Sequence, residues 1–155
     1  MIVDTVRELA GAVGRGRRLM GLDVGSKTIG LALSDPSLTV ATPMDTIRRR
    51  KFTRDAQELI GIFERQSVGG LVIGLPVGMD GTEGPACQSV RQFGANLSAK
   101  TDLPMAFWDE RLSTSAVERF LTEEADLSRA RRAQLVDKMA AAYILQGALD
   151  SLTGA

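Results

Sequence analysis

The sequence contains no histidine, and this absence excludes several kinds of chemistry. A Ser/His/Asp or Cys/His nucleophile system needs an imidazole base, and a histidine-ligated zinc site needs imidazole nitrogens. The single cysteine, Cys87, also excludes an intramolecular disulfide and a zinc site built from several cysteines. Acid–base or metal chemistry in this protein must therefore depend on carboxylates, lysines, arginines, hydroxyl groups or one thiol.

Long apolar runs and an excess of either charge are missing as well. No apolar run approaches the roughly 20 residues that a membrane-spanning helix needs, and residues 1–18 lack the order of a signal peptide. We therefore expect a cytoplasmic protein without a membrane partner. Its 19 basic and 19 acidic side chains cancel. Basic residues cluster at 15–18, 48–51 and 129–132, where a solvated surface is the commoner explanation and phosphate binding the rarer one.

The apolar pattern predicts a sheet that is first antiparallel and then parallel. Three short strands are predicted near 19–25, 28–35 and 38–43; the first two form a hairpin, and Pro43 ends the third on an edge. Two later apolar runs predict further strands that alternate with helices, and such alternation indicates parallel strands covered by helices. The expected fold class is therefore α/β.

Helical spacing predicts the elements between these strands. One helix begins near Phe52 with Thr53 as its N-cap, and another covers 86–97. Ser115 and Glu118 form a capping-box pattern. A final helix is predicted over about 128–152, with these residues facing the sheet: Leu135, Val136, Met139, Ala140, Tyr143 and Ile144.

The N-terminal segment shows a weaker helical pattern, which a glycine-rich basic stretch interrupts. Apolar residues recur at helical spacing over residues 2–13. We interpret residues 1–18 as an amphipathic extension, a surface appendage to a domain that covers residues 19–155.

Asp23 is an acid in an otherwise apolar strand. It lies between Gly21 and Gly25, and a carboxylate on a buried strand is unfavourable unless it is paired or binds a metal. The neighbouring glycines leave the backbone bare, so that a ligand can approach closely. A salt bridge to Lys27 is the structural alternative, and we favour a functional role.

Two further positions carry acids near a predicted sheet edge or helix face. Asp109, Glu110 and Arg111 follow the last predicted strand, and the carboxyl ends of parallel strands commonly carry functional sites. Because side chains alternate along a strand, only one of the two acids can join Asp23. Asp137 lies beside the apolar stripe of the last helix. Taken alone, a strand-end cap explains the DER acids equally well, and a solvated helical residue is the usual explanation for an acid such as Asp137.

A glycine-rich loop at 74–84, GLPVGMDGTEG, follows the fourth predicted strand. Free backbone N–H groups in such a loop favour an anion such as phosphate. It lacks the Gly-Lys-Ser/Thr of a Walker loop. A plain loop is an equally good explanation.

Four sequence blocks together resemble the YqgF family, pre-16S rRNA nucleases related to RuvC-type Holliday junction resolvases. The blocks are GLDVGSKTIGLALSDP, VIGLPVGMDGTEG, DERLST and VDKMAAAYILQ, in this order. The resemblance covers residues 19–150. It implies an RNase H-like fold with a single mixed five-stranded sheet, an antiparallel meander followed by parallel strands, flanked by helices.

The resemblance also implies an acidic cluster that binds a divalent metal. The family's acids fall on Asp23, on Glu110 with Asp109 as the reserve, and on Asp137, and these are the expected catalytic and metal-binding residues. Mg²⁺ or Mn²⁺ suits such a set, because Mg²⁺ prefers oxygen ligands. Two such ions about 4 Å apart could activate water and stabilise the leaving oxygen in phosphodiester cleavage. Candidate phosphate contacts are Lys27, Arg111 and Lys138.

The expected function is metal-dependent endonucleolytic cleavage of structured nucleic acid, with precursor 16S rRNA as the substrate and the ribosome as a candidate partner. One alternative is a Holliday junction resolvase acting on DNA, which needs a dimer to cut symmetrically; a monomer and a homodimer both stay open. Another is a non-catalytic RNA-binding factor in ribosome assembly. GLDVGSKT also resembles the phosphate loop of actin-like ATPases, but those need two such domains.

One departure bears on the resolvase alternative. The strand before GLP carries no acid, whereas RuvC-type resolvases have one at the comparable strand end. The DER motif would have to supply that acid from the next strand.

Overall fold

A computed structural model describes the backbone of residues 1–112 and 129–153, and the side chains of residues 1–111 and 138–153. Five strands form one mixed sheet in the order β3-β2-β1-β4-β5. The strands are β1 (Arg18–Val24), β2 (Thr28–Ser34), β3 (Ala41–Arg48), β4 (Val68–Leu75) and β5 (Met105–Asp109). The predicted α/β fold with a single mixed sheet is confirmed.

Helices cover both faces of this sheet. In the described part of the chain they are α1 (Val6–Ala12), α2 (Phe52–Arg65), α3 (Pro85–Ser98) and α4 (Arg129–Ser151), and a 3₁₀ turn at Glu110–Leu112 follows β5. The capping box predicted at Ser115 and Glu118 lies outside the described residues. No helix of the described part is both long enough and apolar enough to cross a membrane.

The antiparallel half of the sheet contains the predicted hairpin and one wrong strand boundary. β1 pairs with β2, and Asp23 lies opposite Gly30. β3 pairs with β2 and forms an edge, as Pro43 predicted. The third strand does not end at Pro43, however, but continues to Arg48. The pairing shifts register beside this proline, and such an irregularity on an edge strand accommodates a residue that has no N–H to donate.

The two sheet faces carry separate apolar clusters. On one face the sheet packs against α2 and α3, and the apolar cluster between them includes Leu22, Leu59 and Phe93. On the opposite face the sheet packs against α1 and α4, and the apolar cluster there includes Val72 and Leu145. β4 is buried along its whole length, as expected for a strand covered on both faces.

The sheet-facing side of α4 is rotated relative to the prediction. Ile144 is buried as predicted, but Tyr143 is only half-buried. Gly21 leaves room for this side of α4 to approach the sheet, because a Cβ there would lie 2.8 Å from the Ala141 carbonyl oxygen. The apolar residues in the sequence of α4 point to several sides of the helix. Their spacing alone therefore does not show which side faces the sheet. The predicted Leu135 and Val136 lie outside the described side chains. Among the α4 side chains that are described, the buried ones are Ala141, Ala142, Ile144, Leu145, Ala148 and Leu149.

The prediction that the N-terminal segment is a surface appendage is wrong. Leu9 of α1 is 0% exposed and belongs to the cluster on the α4 face. The Val3 N–H donates to the Met105 carbonyl at 2.8 Å, so the chain before α1 adds to β5. Gly70 leaves the space that Leu9 fills, since a Cβ there would lie 2.9 Å from Leu9 Cδ1. A short amphipathic pattern carries no information about this receiving surface.

The start of α2 is held by a residue that the prediction did not name. The N-cap is Lys51, which makes no side-chain cap, so Thr53 is not the N-cap. Instead, the carboxylate of Asp55, which is 1% exposed, accepts the Arg50 N–H at 3.0 Å. A buried carboxylate therefore fixes the backbone that enters α2.

Candidate active site

Two of the predicted acids meet at the carboxyl ends of the strands. Asp23 lies near the end of β1, and Glu110 lies in the 3₁₀ turn that follows β5. Both line a cavity of about 300 Å³, and a side-chain hydrogen bond joins the two carboxyl groups. The structure therefore brings Asp23 and Glu110 together, although β4 separates their strands.

Gly74 of β4 makes this meeting possible. A Cβ at this position would lie 2.5 Å from Glu110 Oε1 and would also contact Ile144 of α4. Real side chains do not tolerate such an approach, so the glycine provides the space that the glutamate occupies. Glu110 of the DER motif thus lies over the carboxyl end of β4, the strand that carries no acid of its own.

The environment of Glu110 favours its protonated form. Burial is the main cause that raises the pKa of Glu110 to about 8, and the negative charges of Asp23 and Asp109 add to the effect. At neutral pH the two carboxyl groups therefore hold one proton in the hydrogen bond between them. Two carboxyl groups sharing a proton in this way mark a place where a cation would be favourable.

Asp109, the reserve for Glu110, has a different partner. Its carboxylate accepts the Arg111 backbone N–H at 2.9 Å and Arg111 Nε at 2.8 Å. The hydrogen bond to Arg111 lowers the pKa of Asp109. Asp109 is thus neutralised within the DER motif, whereas its neighbour Glu110 faces Asp23. The exposed Arg111, a predicted phosphate contact, is held in the same ion pair.

The structure adds a residue that sequence reasoning did not single out. Arg49 lines the cavity beside Asp23 and Glu110. Its guanidinium Nη1 donates to the Gly25 carbonyl at 2.7 Å, and the group lies 5.4 Å from the centre of the Phe93 ring. The signal was present as the basic run at 48–51, but a run of charges does not show which member faces inwards.

The remaining predicted site residues lie on two elements near the pair. Lys27 is exposed in the turn between β1 and β2, next to Ser26, which lines the cavity. Asp137 and Lys138 lie in α4. Lys138 is half-buried, whereas the side chain of Asp137 lies outside the described residues. Among the side chains that are described, no group of three or more carboxylates and thiols is close enough to hold a metal ion.

The glycine-rich loop uses some of its backbone donors internally. The Gly78 N–H donates to the Thr82 carbonyl at 2.9 Å, and the Gly81 N–H donates to the Gly78 carbonyl at 2.8 Å. Asp80 accepts the Thr82 N–H at 3.0 Å. These groups are therefore occupied in a tight turn, which supports the plain-loop alternative over a phosphate cradle.

Comparison of the sequence with known proteins gives close relatives. A family model described as "RuvX: Holliday junction resolvase" matches residues 17–151. A protein of Paramagnetospirillum magneticum named "Putative pre-16S rRNA nuclease" is 67% identical over 147 residues, which are 95% of this chain and 94% of the relative. A protein of Rhodospirillum rubrum with the same name is 58% identical over 152 residues, covering 98% of this chain and 94% of the relative.

Comparison of the structure supports the RNase H-like fold. RuvC of T. thermophilus, solved in complex with a Holliday junction substrate, matches with a TM-score of 0.56 and 13% identity, covering 89% of this chain and 96% of RuvC. The yeast mitochondrial Holliday junction resolvase matches with a TM-score of 0.51 and 11% identity, covering 93% and 82%. At such identities the likeness shows the fold alone. The family match, which extends from the residue before β1 to the end of α4, decides membership: this chain belongs to the RuvX family, and the resemblance predicted from four sequence blocks is confirmed.

Proposed function

We propose that this protein is a metal-dependent endonuclease that cleaves phosphodiester bonds in structured nucleic acid, with precursor 16S rRNA as its substrate. The observation that carries the proposal is the Asp23–Glu110 pair in a cavity that Arg49 also lines. The names of close relatives, which describe pre-16S rRNA nucleases, support the choice of substrate.

The donor set fits a divalent cation. Asp23 and Glu110 present carboxylate oxygens, which Mg²⁺ and Mn²⁺ accept as ligands. Burial and mutual repulsion raise the pKa of Glu110, and a cation would relieve that repulsion. Asp137 would complete the set, because it precedes the buried Ala141 by one helical turn and helix periodicity gives it the same side of α4. When bound, the metal supplies Lewis-acid stabilisation of charge on the reacting phosphate.

The residues of this chain then have distinct roles. Glu110 and Asp23 would hold the cation through their carboxylate oxygens, and Glu110 would have to give up its proton to do so. Arg49 is fixed by its hydrogen bond to Gly25 and by the Phe93 ring, so its guanidinium is positioned to contact a phosphate oxygen. Lys27 and Lys138 are the further candidates for phosphate contacts, and Arg111 becomes one only if it leaves Asp109.

A DNA junction resolvase is the second candidate function. The matching family model carries that description, and RuvC bound to a Holliday junction has the same fold. Symmetric cutting of a junction requires two active sites, and therefore a homodimer.

The experiment compares cleavage of a precursor 16S rRNA fragment and of a synthetic four-way DNA junction, each with Mn²⁺ and with EDTA. We expect Mn²⁺-dependent cutting of the RNA by the parent and by the control Glu64→Gln, which changes an exposed acid of α2. Glu110→Gln should be inactive, while Asp109→Asn should keep activity. Cutting of the junction alone would favour the resolvase, and RNA binding without cutting would favour a non-catalytic assembly factor.

A further inference from the structure

A second concavity lies on the other side of the segment that carries Arg49. It has a volume of about 630 Å³ and is formed by the end of β3 and the first turns of α2. We call it the arginine groove after three of the residues that line it: Arg48, Arg50 and Arg54.

The three arginines are available to a ligand. All three are exposed. Within the described part of the chain, their guanidinium groups make no hydrogen bond or ion pair. Asp45 and Glu58 line the same groove, so that its ionisable lining carries one net positive charge. An open groove lined by three exposed guanidinium groups suits an anionic ligand, because arginine binds phosphate oxygens in a bidentate manner.

The backbone of the segment is fixed from both sides. The buried Asp55 carboxylate accepts the Arg50 N–H at 3.0 Å. The Arg49 N–H donates to the Lys27 carbonyl at 2.8 Å in the β1–β2 turn. The arginines of the groove are therefore presented by an ordered backbone, and a ligand need not order that backbone when it binds.

Consecutive arginines line different concavities. Arg49 lines the cavity that contains Asp23 and Glu110, whereas Arg48 and Arg50 line the groove. The two concavities thus share one short segment as their common wall. A strand that crossed this wall with one phosphate at the acid pair would bring its neighbouring phosphates to the groove.

We propose that the arginine groove binds the phosphodiester backbone of the substrate RNA outside the cleaved bond. This inference rests on the proposed function, since it takes the acid pair as the position of cleavage. Contacts to phosphate rather than to bases make the groove insensitive to sequence and sensitive to salt. Asp45 and Glu58 would repel part of the backbone and so limit the path that it can take.

The test measures binding of a fluorescently labelled precursor 16S rRNA stem-loop by anisotropy, in EDTA, over a series of KCl concentrations. The variant is Arg48→Gln/Arg54→Gln. The matched control is Arg7→Gln/Arg65→Gln, which removes two exposed arginines that line neither concavity. We expect the groove variant to bind about tenfold more weakly at low salt. Its plot of log K against log[KCl] should be shallower by about 0.7 to 0.9 for each phosphate that the variant no longer neutralises. The control should match the parent.

Equal affinity and slope in the groove variant and the parent would overturn the proposal. An equal loss in both double variants would also overturn it, because diffuse charge would then explain the binding. A four-way DNA junction in the same assay shows whether the groove distinguishes RNA from DNA, and binding of the junction alone would overturn the assignment to RNA. In Mn²⁺, the groove variant should cut RNA with a raised KM and an unchanged kcat. A parent that binds RNA through the groove but never cuts would refute the nuclease and leave the groove intact.

Discussion

Two glycines of β4 have opposite kinds of neighbour although alternation places them on the same sheet face. A Cβ on Gly70 would lie 2.9 Å from Leu9 and from Leu19, so apolar side chains fill the space there. A Cβ on Gly74 would lie 2.5 Å from Glu110 Oε1, so a carboxyl group lies over the bare backbone. The same structural device serves core packing at one end of the strand and the candidate active site at the other.

The difference shows how this small sheet separates stability from chemistry. At the amino end of β4 and β5, α1 and residues 1–3 cover the strands with apolar side chains and backbone hydrogen bonds. At the carboxyl end, the carboxyl groups of Asp23 and Glu110 approach each other in a cavity that Arg49 also lines. Substitutions at the first end should therefore change the free energy of unfolding, and substitutions at the second should change cleavage.

The largest effect is expected from deletion of residues 1–16. The sequence pattern indicated a surface appendage, but Val6 and Leu9 are buried in the apolar cluster that packs against α4. Loss of these two side chains alone should lower the free energy of unfolding by about 3–6 kcal/mol. Urea denaturation followed by circular dichroism measures the free energy of unfolding. The single substitution Leu9→Ala should lower the same free energy by about 2–5 kcal/mol. A truncated protein with the parent's midpoint would restore the appendage interpretation.

Glu110→Gln tests the carboxyl end of β4 and β5, where the candidate active site lies. The variant keeps the shape of the side chain but cannot provide a negatively charged ligand, so cleavage should fall by roughly 100-fold or more, the range seen when a group that stabilises transition-state charge is removed. The melting temperature in EDTA should not fall, because the glutamine amide is uncharged and can still donate a hydrogen bond to Asp23. Parent-like cleavage by this variant on precursor rRNA would remove Glu110 from the site.

Substitutions of Gly70 and Gly74 compare the amino end of β4 with its carboxyl end. Gly70→Ala should lower the free energy of unfolding by about 1–3 kcal/mol through overpacking against Leu9 and Leu19, while the folded protein keeps its kcat. Gly74→Ala should displace Glu110 and weaken Mn²⁺ binding and cleavage by about tenfold or more. Calorimetry of Mn²⁺ binding and denaturation curves on both variants provide the measurements. Identical profiles for the two variants would show that the ends are not functionally distinct.

The smallest effect concerns pH. The pKa of Glu110 is raised from 4.5 to about 8, so between these values the folded state binds more protons than the unfolded state. The metal-free protein should therefore lose stability as pH rises from about 5 to 8, by a modest amount because a partly exposed group is screened by solvent. Melting curves in EDTA should show this slope in the parent, and a flatter one in Glu110→Gln. If both proteins had the same slope, another group would be responsible.

The fold was largely predictable from the sequence, because apolar periodicity and glycine or proline boundaries are local signals. β4 is an apolar run bounded by glycine and proline, and its burial follows directly. The errors occurred where a distant surface decides the outcome. The register shift beside Pro43, the sheet-facing side of α4 and the burial of Leu9 all depend on residues far away in the sequence.

The candidate site was predictable only in part, for the same reason. Asp23 stands out locally as an acid among glycines, and alternation along β5 limits the DER motif to one inward acid. That Glu110 rather than Asp109 faces Asp23 depends on Gly74 and on the Arg111 ion pair, which no spacing rule contains. Arg49 was hidden in a basic run, where three neighbours have the same charge.

The pairing of the first residues with β5 has a consequence for how the chain folds during synthesis. Residues 1–3 leave the ribosome long before their partner Met105, and the Met1 ammonium group donates to Ser98, 97 residues further along the chain. Contacts of such long sequence separation close late, because the chain between them must first be ordered. A nascent chain that ends before β5 leaves one edge of β4 unpaired and α1 without the packing surface that β5 provides, so we expect it to depend on chaperones until residues 105–109 emerge. Proteolysis of ribosome-stalled chains ending at residues 100 and 155 would show protection of α1 in the longer chain alone.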